Sequence, residues 1–224
     1  MNRPLDQPVD LVIFDCDGVL VDSERVANEV FARVLDEVCG LQFTLDDMFD
    51  TFVGHSRLQC LQKVEAMIGE PPPPELDLRY QRDIDQALQQ TVEAVDGIET
   101  VLQALDLPCC VASSGSHEKM KMTLGKTGLI DLFDGNIFST SEVERGKPHP
   151  DIYLHAATAM GCYRAERCLV IEDSPIGIAG AVAAGMRVFG FAELMPAHKL
   201  EASGAHLVFD SMHDLPELIA THTR

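Results

Sequence analysis

The stretch Val9-Asp10-Leu11-Val12-Ile13-Phe14-Asp15-Cys16-Asp17-Gly18-Val19-Leu20-Val21-Asp22-Ser23 decides the fold. An apolar run, Leu11 to Phe14, ends abruptly in two aspartates spaced i, i+2 and then a glycine. A continuous apolar run of this kind reads as a strand buried on both faces, as in a parallel sheet. Loops just beyond the carboxyl ends of such strands are where open α/β sheets hold their ligands. If Asp15 and Asp17 continue the extended geometry, they project to the same side. Two carboxylates so placed repel unless a divalent cation, a shared proton or a swing of one side chain resolves the conflict.

Five more short apolar runs follow: Cys109–Ala112, Asn136–Phe138, Cys168–Ile171, Val188–Phe191 and His206–Phe209. Stretches of helical character lie among them, near Gly97–Leu105, Ser116–Thr127, Pro150–Met160, Pro175–Ala184 and Leu215–Thr221. This alternation predicts βαβ units: an α/β fold with a doubly wound parallel sheet covered on both sides. Ser174 suits a helix cap, Pro175 and Pro150 suit helix starts, and Gly185 suits a stop.

The first strand ends near Asp15, yet the second begins only near Cys109, far beyond an ordinary crossover. The intervening stretch has helix-period apolar positions and no convincing strand. Val26, Val30, Phe31, Val34, Leu35 and Val38 form one face, Leu58, Leu61, Val64 and Ile68 another, and Ile84, Leu88, Thr91 and Val92 a third. Pro71–Pro74 reads as a stiff connector. Residues 23–94 are therefore expected to form an inserted α-helical domain, with residues 1–22 and 95–224 as the core. The two crossings, near Ser23 and near Val95–Gly97, are expected to act as a hinge.

The chain of 224 residues carries 17 Lys and Arg against 36 Asp and Glu, a formal net charge of −19. Nucleic acid and anionic membrane are therefore not expected as partners. An anionic substrate would need local positive charge, from a metal, a few placed basic residues or helix N-termini. The seven cysteines are odd in number and contain no CxxC pair, which suits buried, reduced thiols in the cytoplasm. The N-terminal MNRPLDQPVD has no apolar signal core, and no run is long enough to span a bilayer. A soluble, cytoplasmic monomer is expected.

Three further constellations fall at the ends of expected strands. Ser113-Ser114-Gly115-Ser116 places hydroxyls and backbone amides before a helix, an arrangement that suits a phosphate or other oxyanion. In Arg145-Gly146-Lys147-Pro148-His149-Pro150, two prolines fix the backbone around a lysine, which suits a phosphate clamp. Leu169-Val170-Ile171-Glu172-Asp173-Ser174 repeats the acidic pair at a strand end. Carboxylates converging at one sheet edge imply a hard cation, and oxygen ligands favour Mg²⁺, which couples to substrate phosphates.

Together these motifs closely resemble the haloacid dehalogenase superfamily. Its phosphotransferases begin with hhhhDxDGxLxDS, written here VIFDCDGVLVDS. The later motifs match in order: the serine ending the second strand, the lysine of GKPxPD, and IEDSPIGIAGAVAAGM. The resemblance spans essentially the whole chain. It implies a Rossmann-like core with the insertion as a helical cap, near β-phosphoglucomutase and sugar-phosphate phosphatases such as 6-phosphogluconate phosphatase.

The resemblance also implies roles. Asp15 would be the nucleophile, forming an aspartyl-phosphate, and Asp17 the general acid and then base. Mg²⁺ would be held by the Asp15 carboxylate, the Asp17 carbonyl and Asp173, with Glu172 supporting it through water. Ser113 and Lys147 would bind the transferred phosphoryl group, with backbone amides near Cys16, Asp17 and Ser114 assisting. The presence of Asp17 argues against dehalogenation, because a departing halide needs no acid. Residues Phe52-Val53-Gly54-His55-Ser56-Arg57 resemble the mutase cap loop, so Gly54, His55 and Arg57 are expected to contact substrate, with Arg57 gripping a second anionic group. Ala27 stands where the mutase has a histidine after its DxD motif. The expected activity is Mg²⁺-dependent hydrolysis of a small phosphorylated metabolite, a sugar phosphate in particular, with a phosphomutase as the alternative. A receiver domain, the non-enzyme alternative, lacks the second aspartate.

Overall fold

The computed structural model describes residues 8–53, 55, 57–133 and 135–222. In chain order its main elements begin with β1 (Leu11–Phe14), α1 (Ser23–Cys39), α2 (Leu45–Phe52), α3 (Arg57–Ile68), α4 (Pro74–Thr91) and α5 (Ile98–Ala104). There follow β2 (Cys109–Ser113), α6 (His117–Lys126), β3 (Ile137–Ser139), α7 (Asp151–Ala159) and β4 (Cys168–Glu172). The chain ends with α8 (Pro175–Ala183), β5 (Arg187–Phe191), α9 (Ala197–Ala202), β6 (Leu207–Phe209) and α10 (Leu215–His222).

The strands form one parallel sheet in the order β3-β2-β1-β4-β5-β6. From β1 the chain steps outward to β2 and β3, then returns to β4 on the other side of β1 and proceeds to β5 and β6. The winding thus reverses around β1 and β4, where doubly wound sheets open a crevice. Phe14 is in register with Val111 of β2 and Ile171 of β4, and the Asp15 N–H donates to the Ile171 carbonyl at 3.0 Å. Asp15, Ser113 and Glu172 therefore stand at one edge of the sheet. Val12, Ile13, Phe14, Leu169, Val170 and Ile171 are fully buried, as the apolar runs require.

Two compact units divide the chain: the residues up to Val21 and from Glu93 onward, and Asp22–Val92. The second has its own core, built by Val30, Phe31, Val34, Leu35, Met48, Phe52, Cys60, Val64 and Leu76. Asp22 caps α1 by accepting from the Arg25 N–H, and Gly40 ends the helix in the left-handed region (φ 66°). Thr44 and Asp47 form a capping box on α2.

Here the structure departs from the expected pattern. Among the described residues the insertion has four helices rather than three apolar faces, α2 being the addition. The proline run is not wholly a connector, because Pro74 opens α4; a proline in the first turn loses no intrahelical hydrogen bond. Leu58 is 66 % exposed, so the buried face of α3 is carried by Cys60 and Val64. Among the described residues, no helix is long and apolar enough to cross a membrane.

Candidate active site

Asp15 follows β1 directly, and Glu172 and Asp173 end β4. One oxygen from each of the three carboxylates lies within 4.8 Å of the others. The Lys147 ammonium reaches into this group from the segment before α7, donating to Asp15 Oδ1 at 2.6 Å and to Glu172 Oε1 at 2.7 Å. Its side chain is 2 % exposed. The Lys147–Pro148 peptide is cis.

Glu172 is fully buried and held on both oxygens. Besides Lys147, its Oε1 accepts from the Tyr153 hydroxyl at 3.1 Å. Its Oε2 accepts from the Ser174 N–H and the Ser174 hydroxyl, each at 2.8 Å. That hydroxyl in turn accepts from the Gly177 N–H at 3.1 Å and so caps α8. Two glycines leave room for the acids. A Cβ on Gly177 would stand 1.7 Å from Glu172 Oε1, and one on Gly18 (φ 76°) would stand 2.0 Å from Asp173 Oδ2. Any side chain at either position would displace a carboxylate.

The electrostatics of this group ask for a cation. Burial lifts the Asp15 carboxyl to about 7, with Glu172 adding to the rise and Lys147 opposing it. Burial alone would pull Lys147 down, but Asp15 and Glu172 push it well above its ordinary value, so it stays charged. With all three carboxyls ionised, one ammonium leaves a formal excess of two negative charges, and a bound cation would hold Asp15 in that ionised form. The donors are all carboxylate oxygens, without thiol or imidazole. That set fits a hard divalent cation.

Asp17 lies outside this triad of acids. Its two oxygens each accept from the Lys119 ammonium at 2.8 Å. Ser113 ends β2, is 1 % exposed, and its hydroxyl accepts from the Gly115 N–H at 3.0 Å. The Ser113 Oγ and Asp17 Oδ2 both lie within 3.6 Å of the point where a Gly115 Cβ would stand, so the serine loop closes over Asp17. Ser114 is exposed, and its carbonyl accepts from the Thr140 hydroxyl at 3.3 Å. One edge of the sheet thus carries Asp15, Asp17, Ser113, Ser114, Lys147, Glu172 and Asp173.

The sequence reading passed over two residues here. Lys119 was unmarked, although a lysine in the first turn after a serine-rich loop is well placed to reach an acid beside that loop. Tyr153 shows its part only through the hydroxyl bond to Glu172, which nothing in the local sequence of α7 marks.

The remaining expected residues belong to the helical unit. Gly54 lies outside the described residues. His55 and Arg57 line a cavity of about 300 Å³ within this unit, with Glu24, Asn28, Phe31 and Tyr80 among its other walls. The Arg57 guanidinium sits 4.6 Å from the Phe31 ring and 4.4 Å from the Tyr80 ring, and its Nε donates to Asp77 at 2.7 Å. Arg57 Nη2 and His55 Nδ1 are buried without a hydrogen-bond partner. Ala27 lines the same cavity.

Comparison with known proteins agrees with this geometry. A family model for haloacid dehalogenase-like hydrolases matches residues 9–185. The 6-phosphogluconate phosphatase of Escherichia coli strain K12 is 30 % identical over 94 % of this chain and 94 % of its own length. A haloacid dehalogenase-like protein of Agrobacterium tumefaciens superimposes with a TM-score of 0.88 at 38 % identity, covering 96 % of this chain and 100 % of that one. A HAD family hydrolase of Deinococcus radiodurans, solved with bound phosphate and sodium, gives 0.86 at 33 %, covering 97 % of each. With the family model spanning β1 through α8, and these relatives covering nearly the whole of both chains, the protein belongs to the haloacid dehalogenase-like hydrolases.

Proposed function

We propose that this hydrolase cleaves small phosphoric monoesters, sugar phosphates in particular, with Mg²⁺ and through an aspartyl-phosphate on Asp15. The chain is an enzyme of the phosphate-ester class, in line with its phosphatase relatives. The observation that carries the mechanism is the meeting of Asp15, Glu172 and Asp173 around Lys147 at the carboxyl ends of β1 and β4.

In this mechanism Asp15 attacks phosphorus, the bond between phosphorus and the ester oxygen breaks, and the alcohol leaves with a proton from Asp17. Water then attacks the phosphorus of the aspartyl-phosphate, Asp17 takes its proton, the bond between phosphorus and the Asp15 oxygen breaks, and inorganic phosphate leaves with the Asp15 carboxylate regenerated. Lys147 already donates to Asp15 Oδ1, so its ammonium is placed to bind a phosphoryl oxygen beside the nucleophile. Glu172 and Tyr153 hold Lys147 there. Ser113, Ser114 and the amides of their loop would bind the remaining phosphoryl oxygens. Mg²⁺, held by Asp15, Asp173 and the Asp17 carbonyl with Glu172 beyond through water, would neutralise charge between nucleophile and phosphate.

The helical unit is read as the cap that selects the substrate. Arg57 Nη2 and His55 Nδ1 are buried polar atoms facing no partner, which an anionic group on the substrate would satisfy. Ala27 in place of the mutase histidine favours hydrolysis over phosphoryl return. A cytoplasmic location suits the seven free cysteines, and the charge of −19 argues against a nucleic-acid partner.

The test is a screen of phosphorylated metabolites with Mg²⁺, ranked by kcat/KM, beside the Asp15→Asn variant. Steady phosphate release that Asp15→Asn abolishes is the expected result. Turnover by a folded, cleanly purified Asp15→Asn protein would refute the nucleophile. Conversion of β-glucose 1-phosphate to glucose 6-phosphate without steady phosphate release would replace the phosphatase with the mutase.

A further inference from the structure

Lys119 takes no part in the mechanism above, yet it holds the residue on which both proton transfers depend. Its ammonium engages both Asp17 oxygens at 2.8 Å across 102 residues of sequence. The lysine is itself fixed. It stands in the first turn of α6, where its backbone N–H donates to the capping Ser116 hydroxyl, and its carbonyl accepts from Thr123. A Cβ on Gly115 would lie 3.6 Å from both Asp17 Oδ2 and Lys119 Cδ, so the serine loop packs against the pair. One short segment thus carries the oxyanion loop and the cation that orients the acid.

We propose that Lys119 is a positioning residue for proton transfer: it fixes the Asp17 carboxylate beside the leaving-group oxygen and apart from the Asp15, Glu172 and Asp173 cluster. This rests on the reading of Asp17 as acid and base. An aspartate has two side-chain torsions, and a single contact leaves its oxygens free to rotate. A bidentate clamp removes that freedom, and a misplacement near 1 Å at a reacting centre costs about 100-fold in rate. A partly exposed pair that served the fold alone would contribute little.

Leaving groups separate these roles. p-Nitrophenolate departs without a proton, whereas an alkoxide requires one, and kcat/KM reports the first cleavage of the phosphate ester. With Lys119→Met, kcat/KM for glycerol 3-phosphate is expected to fall about 100-fold and that for p-nitrophenyl phosphate less than about 5-fold. Lys119→Arg should restore most of the loss, and circular dichroism should show both variants folded. Asp17→Asn should give the same pattern at larger amplitude.

An equal loss on both esters, or no loss, from Lys119→Met overturns the positioning role while Asp17→Asn still shows the dependence. If Asp17→Asn shows none, the acid assignment fails and the inference falls with it. Lys119→Gln is the second variant. If neither Met nor Gln at 119 yields a folded protein, the pair belongs to the fold and the proposal is wrong.

Discussion

Replacing Gly177 with alanine sets helix propensity against the architecture of the site. Within α8, alanine should stabilise by about 1 kcal/mol over glycine, through lower backbone entropy in the unfolded chain. The new Cβ would stand 1.7 Å from Glu172 Oε1, where ordinary contact begins at 3.4 Å. The carboxylate cannot yield by that much and keep bonds of 2.7 Å to Lys147 and 2.8 Å to Ser174. Losing even two of these three charge-assisted bonds costs about 3–6 kcal/mol, so the net effect after the helix gain is a loss of about 3 kcal/mol. For a chain of this size, that is a fall of roughly 6–12 °C in Tm. Lys147 also loses its anchor, and kcat/KM should drop at least about 100-fold. Gly125 in α6 is the control, because a Cβ there meets nothing within 4 Å. Gly125→Ala should raise Tm by roughly 1–4 °C without changing activity. Thermal melts and phosphate release on the two variants decide the matter. A Gly177→Ala protein that melts at or above the wild-type temperature with full activity would refute the reasoning.

Three other outcomes are expected. Tyr153→Phe removes a buried donor from Glu172 and should lower stability by about 1–3 kcal/mol, measured by denaturant titration; an unchanged midpoint would show that the hydroxyl bond contributes nothing. Chelation should stop turnover and added Mg²⁺ should restore it and raise Tm, with both responses weakened in Asp173→Asn; a melt insensitive to Mg²⁺ would count against the acidic cluster as the metal site. His206 accepts the Val188 N–H at 3.1 Å, and burial, with Arg187 nearby, holds it below its ordinary value of 6.5. The unfolded chain takes up that proton first, so the stabilisation is complete above about pH 6.5 and is lost as pH falls toward the folded value. Tm measured against pH should therefore fall less steeply on acidification in His206→Gln, and parallel curves would exclude the effect.

The core was legible because its strands are buried on both faces. Each apolar run lies within a residue or so of a strand, and three of the four motifs stand where their strand ends, while the Lys147 segment lies beyond β3, just before α7. The helical unit was harder to read. The face from Ile84 to Val92 marked the second half of α4, but Leu76 alone is buried in its first half, and eight residues give α2 barely two turns. The usable signal for α2 was its Thr44–Asp47 cap. At the site, the aspartates and Lys147 were readable from local pattern. The Lys119–Asp17 and Tyr153–Glu172 contacts depend on how α6 and α7 pack against the sheet, which sequence spacing does not encode.

Val21 forms an antiparallel bridge with Ala94, and the Val95 N–H donates to the Leu20 carbonyl at 3.1 Å. Bridged residues of this kind lie about 5 Å apart, so the entry and exit of the long insertion are zipped together at the hydrolase core. A tight turn spans the same gap, and closing a longer loop there adds only logarithmically to the entropy already spent. The hydrolase core is in this sense a socket: both ends of the helical module leave from Val21 and Ala94, so a module exchanged there is expected to leave the strand register untouched.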